Sequence, residues 1–500
     1  MGPTIASWAR TAALLAVLVI AFPPGMAQCQ APPSAPSSPA QVDTPPGPAA
    51  PPSSPETQAP GDLGVQTQDP FAGSPLLQMF ERIPDASAPI RQLRFAPSIG
   101  EPIPLSVQLF LTAEEEYTDN ADQTKNNRRS EFRTRVVPGL AVRVDRPLAN
   151  LSLSYAPEVV IPNNSIGETE LNQNLSARFS LWPSGKLRFT VAEDFTDSSD
   201  FSDVQDPGTR RTGTGDFIRN QVTAEAAYVL PKLRTAFTYT NIINQEDVGF
   251  TDTRIAHIVR PTAAYTDPRF SLSGAFDLTR GDENSSVAVP YWRYGGEARY
   301  LHVLTPTVSA GLTGTYVFQE PDVGQNFTIG RLRALATVQI GRDGTAEAEV
   351  GADAFRLREE DSVEFRPSGA LSYTHRFFAL AITARYEQGY ELGYEDVDST
   401  GTTFTRSAGV FLSSALFRNL TTTLGFRYEE NTFQFSTIQG VAAGTRDRTY
   451  SIDAGIRYLL VRSLYLSLGY TGTFRISSQD TAEFNENRVR LGLTYQYGLF

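Results

Sequence analysis

The sequence predicts an all-β chain closed into a transmembrane, antiparallel, up-and-down β-barrel of about 20 strands (roughly 16 to 22), preceded by a disordered Pro-rich tether. Three observations carry this. The last residues, Arg488-Val489-Arg490-Leu491-Gly492-Leu493-Thr494-Tyr495-Gln496-Tyr497-Gly498-Leu499-Phe500, alternate strictly, with Val489, Leu491, Leu493, Tyr495, Tyr497 and Leu499 on one side and arginines, Thr494, Gln496 and glycines on the other. Similar segments recur from residue 105 onward, each about the 9–11 residues that a tilted strand needs to cross a bilayer. Short and long polar connections alternate between them, as in outer-membrane barrels, whose periplasmic turns are short and whose extracellular loops are long.

Composition agrees with that class. Apolar residues make up 40% of the 500-residue chain, and the mean hydropathy is −0.25. Those values exclude a bundle of membrane helices but suit a barrel, in which every second residue meets lipid. Thirty Phe and twenty Tyr against three Trp supply rings for the two headgroup boundaries. The net charge of −12, with no basic stripe, argues against nucleic acid as a partner.

In chain order, residues 1–27 read as a cleaved secretory signal: Arg10, then an apolar run from Ala12 to Phe22 too short to span a bilayer as a helix, then small residues before Gln28. Cys29 is the single cysteine, so no intramolecular disulfide forms; it is read either as an incidental thiol or as a lipid-attachment residue, with Gln28 a poor fit to the latter. Residues 28–60, rich in Pro, Ala and Ser, form a linker that can bury no core. Residues 61–104 make a short periplasmic segment or a plug, with Pro75 to Ile83 a candidate amphipathic helix. The barrel occupies residues 105–500.

Leu105, Val107, Leu109, Leu111 and Tyr117 alternate with Ser106, Gln108, Thr112, Glu114 and Glu116. On the return, Phe132, Val136, Leu140, Val142 and Val144 oppose Arg133, Arg135 and Arg143. Tight connections follow at Arg146-Pro147-Leu148-Ala149, Trp182-Pro183-Ser184-Gly185, Pro231-Lys232, Thr266-Asp267-Pro268, Gly341-Arg342-Asp343-Gly344, Phe417-Arg418-Asn419 and Val461-Arg462-Ser463. Long loops are expected around 196–216, 245–253, 391–400, 432–446 and 475–485. The period is blurred at 254–265, and 345–357 is Ala-rich, so these are the weakest strands. A hairpin-scale echo links 416–426 to 460–470. Pro138, Pro261, Pro290 and Pro367 fall in incoming strands of a sheet with no free edge, which predicts bulges.

With the apolar set on lipid, the opposite set faces the lumen. Arg133, Arg135, Arg178, Arg188, Arg219, Arg299, Arg333, Arg385, Arg427, Arg457 and Arg490 point inward, together with Glu114, Glu116, Asp194, Glu225, Glu297, Glu347, Glu349 and Glu387. Such residues line a water-filled path or brace the wall as cross-strand ion pairs. Two rows of tyrosines, Tyr117, Tyr155, Tyr239, Tyr316, Tyr386, Tyr428 and Tyr470 at one rim and Tyr228, Tyr265, Tyr300, Tyr373, Tyr458 and Tyr497 at the other, read as interface girdles rather than as a sugar track, because they share the lipid-facing parity. Asp197, Asp200, Asp203 and Asp206 lack the spacing of a Ca²⁺ loop and read as a solvated acidic loop. His257, His302 and His375 form no cluster, so neither a metal centre nor a His-based catalytic site is expected. No cofactor is expected, and the chain is read as a non-enzyme.

Glu116-Tyr117-Thr118-Asp119-Asn120, Arg133-Thr134-Arg135-Val136-Val137-Pro138-Gly139-Leu140 and Leu151-Ser152-Leu153-Ser154-Tyr155 resemble the opening of the putative β-barrel porin 2 family of Gram-negative outer membranes. Gly469-Tyr470 with Arg475, Ser477 and Ser478, then Glu486-Asn487-Arg488-Val489, resembles that family's last hairpin. The resemblance implies an outer-membrane location with the N-terminal tether in the periplasm, and a role in polysaccharide passage or surface assembly with exopolysaccharide or its export components as partners. It brings no catalytic residues. Phe500 is similar to the C-terminal signal read by the barrel-insertion machinery, although Leu499 rather than Phe500 keeps the lipid parity. Two readings of function follow: a porin-like barrel passing polar solutes or an exopolysaccharide, or a non-conducting structural or surface-interaction protein of the outer membrane.

Overall fold

In the computed structural model the alternating segments pair edge to edge and leave no free edge. The structure describes residues 105–163, 169–200, 214–247, 251–284, 289–323, 325–358, 363–392, 401–417, 419–436, 444–478 and 483–498. The chain divides into two units, residues 1–67 and 68–500, and every described residue belongs to the second. The signal, the linker with Cys29, the 61–104 segment and the final Leu499 and Phe500 lie outside the described residues.

Twenty strands follow in order: β1 (Leu105–Thr118), β2 (Glu131–Arg146), β3 (Ala149–Pro162), β4 (Glu170–Ser184), β5 (Leu187–Asp200), β6 (Thr214–Val229), β7 (Leu233–Asp247), β8 (Thr251–Asp267), β9 (Phe270–Asn284) and β10 (Tyr291–Thr305). The second half holds β11 (Val308–Pro321), β12 (Phe327–Ile340), β13 (Gly344–Leu357), β14 (Glu364–Phe377), β15 (Leu380–Leu392), β16 (Gly401–Phe417), β17 (Leu420–Ser436), β18 (Arg446–Val461), β19 (Leu464–Ser477) and β20 (Phe484–Gly498). Each pairs antiparallel with its neighbour in sequence, and β20 returns to β1, with Glu116 opposite Arg490 and Leu109 opposite Tyr497. The fold is therefore a closed 20-stranded antiparallel barrel. At about 4.8 Å per strand and a tilt of about 40°, 20 strands enclose a backbone cylinder roughly 40 Å across, too wide for side chains alone to fill. The blurred 254–265 stretch lies within β8, and the Ala-rich 345–357 stretch within β13.

Even strands hand over to the next odd strand through two or three residues, at 147–148, 185–186, 230–232, 268–269, 306–307, 341–343, 378–379, 418–419 and 462–463. The opposite connections run from 3 residues (248–250) to 13 (201–213). They are shorter than the sequence pattern implies because the strands are longer: β15 has 13 residues and β8 has 17. The outgoing tyrosines mark where the apolar band stops, and the strands continue past them. Beyond Tyr428, β17 runs on to Ser436, a rise of roughly 20 Å at the usual strand spacing and tilt. Polar residues first read as loop, such as Thr432, Gln434 and Ser436, are sheet standing beyond the apolar band.

The proline expectation is corrected. Pro290 precedes β10, and no register shift falls at Pro138, Pro261 or Pro367. The shifts cluster near hairpin ends, for instance between Leu181 and Ser184, Val303 and Thr305, and Leu459 and Val461. Pro138 keeps its place opposite Leu111 on one side. On the other, pairing to β3 lapses between Val136↔Val159 and Leu140↔Tyr155 without a slip, which sets Pro138 opposite Pro157. Two residues without N–H groups face each other, so neither strands a donor and no extra residue is needed. At Pro261 the β8–β9 pairing also lapses without a slip, between Val259↔Leu278 and Thr262↔Ala275, although there the facing residue is Phe276.

One face of the sheet carries large apolar side chains left open, among them Leu109, Leu171, Leu332, Val350, Phe365 and Tyr497. The other carries buried polar ones, among them Glu116, Arg135, Glu158, Arg333, Asp353 and Arg475. This is the reverse of a soluble protein, and it is what lipid outside and polar surroundings inside select.

Candidate functional site

The inner face is built by strand parity, so its geometry follows from register. Around the closing seam it forms a ladder of alternating charge. Glu158 on β3 accepts from Arg135 on β2 at 3.0 Å and from Asn172 on β4 at 3.1 Å. Arg135 also reaches Glu116 on β1 at 3.4 Å, and Glu116 accepts from Arg490 on β20 at 2.6 Å. Arg488 bonds Glu486 at 2.8 Å, and Arg475 on β19 bonds Asp447 on β18 at 2.9 Å. Glu116 has no exposed surface. Each carboxylate here has a guanidinium partner, as buried charge requires.

The connection from β1 to β2 leans over the same end. Asn120 donates to the Asn485 carbonyl at 2.8 Å and Gln123 to Glu486 at 3.2 Å. Arg129 is clamped by Asp122 at 2.7 Å, which raises its pKa further above the ordinary guanidinium value.

A second group lies on β8 to β15. Arg260 meets Asp277 and Glu297, each at 3.4 Å. Arg299 on β10 reaches Glu347 on β13 at 2.6 Å, past two intervening strands, a convergence expected on a concave face. Arg333 contacts Glu349 at 3.4 Å and Ser368 at 3.1 Å, and Arg331 bonds Asp353 at 3.1 Å.

Every residue named for the inner face from sequence sits on that parity, but they do not form one site. Arg133 pairs with Glu131 at 3.0 Å, and Glu114 lies 3.7 Å from Arg490. Arg385 pairs with Glu387 at 2.6 Å and Arg427 with Glu429 at 2.5 Å, each along its own strand. Arg188 donates to Thr190 at 3.2 Å and lies over Trp182. Arg178 stands on β4 across from Ser152 and Ala192. Sequence reasoning placed Arg488 with the polar side of the last strand but missed Glu158, Arg331, Asp353, Arg366, Asp447 and Glu486. Continuing the period of two from Glu349 to Asp353, from Arg333 back to Arg331 and from Arg490 back to Glu486 would have found half of them.

The histidines lie apart on the outward face, each beside a tyrosine. Tyr239 and His257 Nδ1 are 2.9 Å apart, Tyr300 and His302 Nδ1 are 3.3 Å apart, and the Tyr373 and His375 rings stack at 6.0 Å. They belong to the aromatic rows. Asp197, also outward, accepts from Gln173 at 3.4 Å, while Asp203 and Asp206 lie outside the described residues. Among the described residues no group of His, Cys, Asp and Glu side chains is placed to hold a metal ion.

The fold and its two faces define a β-barrel of the outer-membrane type. Residues 394–497, the stretch holding β16 to β19 and all but the last residue of β20, match the family model described as Putative beta-barrel porin 2. The FrpB iron transporter from Neisseria meningitidis is similar over 79% of this chain and 81% of its own, at 10% identity and a TM-score of 0.50. The siderophore receptor PirA from Pseudomonas aeruginosa is similar over 78% of this chain and 80% of its own, at 8% identity and a TM-score of 0.47. OccK2 (OpdF), also from Pseudomonas aeruginosa, is similar over 79% and 98%, at 9% identity and a TM-score of 0.39. At such identities the likeness concerns the fold alone. No curated protein matches the sequence.

Proposed function

We propose that this chain resides in the outer membrane and passes polar solutes through its lumen, with its inner-face arginines and carboxylates as the lining. One observation carries the reading: a 20-stranded closed wall, apolar outside, presents charge of both signs along its inner face. A wall of that circumference leaves room for water, and charges of both signs suit polar cargo without selecting one ionic sign. Lipid would cover the outward band between the tyrosine rows, the N-terminal region would lie on the periplasmic side, and the C-terminal strand would be read by the insertion machinery. An exopolysaccharide segment is the larger cargo that the family resemblance adds.

The test is sugar-loaded liposomes containing the purified chain, with conductance in planar bilayers beside them. Size-dependent sugar entry and discrete conductance steps are expected. A folded chain that gives neither would refute passage and leave the non-conducting surface role. Deletion of the protein from its host, scored for capsule or exopolysaccharide at the surface, tests the polymer: an unchanged surface removes it from the proposal.

A further inference from the structure

At its outer end β15 has parted from β14, while β16 stays paired with β17 from Gly401↔Ser436 onward. β14 pairs with β15 only from Gly369↔Gln388 to Phe377↔Leu380, so Glu364 to Ser368 have no β15 partner in the backbone ladder and meet β15 through side chains, as where Gln388 donates to the Pro367 carbonyl at 3.0 Å. Over the same height β15 stays paired with β16, from Gly389↔Thr405 to Leu392↔Thr402. Its released backbone edge bonds instead to side chains on the inner face two and three strands away. The Tyr390 N–H donates to Asp353 at 2.9 Å, Arg331 donates to the Tyr390 carbonyl at 2.6 Å, and Arg333 donates to the Gln388 carbonyl at 3.2 Å. β15 thus touches β13 directly, past β14.

The side chains tell the same story. Strand parity would put Tyr390 and Phe404 with the outward row, yet both are buried against the inward Phe327, Ile329 and Phe355. The Phe355 and Tyr390 rings are 5.3 Å apart, and those of Tyr390 and Phe404 meet edge to face at 5.2 Å. The Arg366 guanidinium lies 4.8 Å from the centre of the Phe404 ring. Phe365, next to it on the outward face of β14, is 72% exposed. Asp353 has no exposed surface. At the closest point Gly389 lies so near that an added Cβ would stand 2.7 Å from Arg333 Nη2, 2.8 Å from Asp353 Oδ2 and 3.0 Å from Arg331 Nη2.

We infer that the inward-leaning outer end of β15, residues 388–392, with the β16 residues 402–405 paired to it, is the constriction that sets the size limit of the passage, pinned across the inside of β14 by Arg331, Arg333 and Asp353, with Gly389 as the contact that lets it seat. The inference rests on the proposed passage of solutes. A wall of this circumference lined by side chains alone stays wide, and strand ends drawn in across its inner face narrow it.

Two variants test it, in the full-length protein reconstituted in liposomes. Gly389→Val forces a branched side chain into the three-pronged contact, and Arg331→Ala removes the bond to the Tyr390 carbonyl. Folding is checked by heat-modifiable migration and β-sheet circular dichroism, so the milder Arg331→Ala decides if Gly389→Val does not fold. Single-channel conductance should rise roughly twofold and larger sugars should enter, while the Tyr390 amide should exchange at least roughly tenfold faster. Where the wild type passes solute, an unchanged sugar limit in the folded variant overturns the inference, even if Tyr390 exchanges faster. If neither protein passes any solute the passage itself falls. The Tyr390 amide then decides the place of this strand end alone, and unchanged protection overturns the inference.

Discussion

Replacing Glu116 by Ala strikes the place where the barrel closes. Its carboxylate accepts from Arg490 at 2.6 Å and from Arg135 at 3.4 Å, and Arg488 stands 3.9 Å away. Removing one member of a buried pair costs about 3–5 kcal/mol when the remaining charge is stranded. Here each guanidinium keeps a second carboxylate: Arg135 has Glu158 at 3.0 Å, Arg490 has Glu114 at 3.7 Å, and Arg488 has Glu486 at 2.8 Å. The loss should therefore fall to about 2–3 kcal/mol. Arg490→Ala removes the same contact from the other strand. A double-mutant cycle between the two should give a coupling of about 1–2 kcal/mol, because the pair is in direct contact and shares its neighbours. The assay is urea unfolding of the barrel inserted in lipid vesicles, followed by the fluorescence of Trp182 and Trp292. A Glu116→Ala barrel within about 0.5 kcal/mol of wild type, or a cycle coupling near zero, would falsify the claim that the ladder braces the seam.

Three further outcomes are expected. Val350 is 71% exposed on the outward face. It lies midway between Ala346, opposite Tyr373 of one aromatic row, and Ala354, in line through Gly330 with Tyr316 of the other. Val350→Arg should therefore cost about 2–4 kcal/mol in vesicles. Thr345→Arg, on the inner face, should stay within about 0.5 kcal/mol, and equal losses at both positions would contradict the assignment of faces. Gly351 on β13 sits so close to β12 that an added Cβ would fall against the Leu332 carbonyl oxygen. Gly351→Val should destabilise by about 1–3 kcal/mol in the same unfolding experiment, and a neutral result would show that the strands can part there.

The third concerns pH. Arg280 donates to both oxygens of Asp322, in the connection after β11, at 3.1 Å each, and holds that carboxyl below its ordinary value. A depressed native pKa stabilises fully above the unfolded value of about 3.9 and fades as pH falls through the native one. The stability gap between wild type and Arg280→Gln should thus be present near neutrality and shrink in acid. An Asp322 that titrates in wild type at or above the ordinary value, read by carboxyl NMR, would remove the basis for it.

The barrel was legible because a period of two is written locally, residue by residue, and survives even the Ala-rich β13. Strand number, closure and the turn side follow from that period together with the rule that a sheet in lipid can leave no edge. Strand length was not legible. Once a strand leaves the apolar band both of its faces are polar, as at Glu429 and Glu430, and alternation no longer separates sheet from loop. The proline error has a similar root: in a sequence each proline looks like a lone lost donor, whereas pairing sets Pro138 against Pro157. Parity likewise placed the inner charges but could not assign their partners, since Arg299 and Glu347 are joined by the curvature of the wall and not by adjacency in the sheet.

The inward-leaning outer end of β15 marks where local reasoning stops for a physical cause. Gln388-Gly389-Tyr390 continues the strand pattern of β15 without interruption, and nothing in its own residues forbids pairing with β14. What diverts it is the competition for its backbone groups above the apolar band. Within lipid, leaving the ladder would strand N–H and C=O groups at a cost of several kcal/mol each. Above the aromatic row, Arg331, Arg333 and Asp353 offer charge-assisted bonds to the same groups, and the Tyr390 and Phe404 rings gain an apolar patch on the inner face. The departure point, just past Gln388 and two residues beyond the outward Tyr386, is therefore where the penalty for leaving the wall ends. A constriction built this way can be placed only in the extramembrane part of a barrel, and strands longer than the bilayer requires are what make room for it.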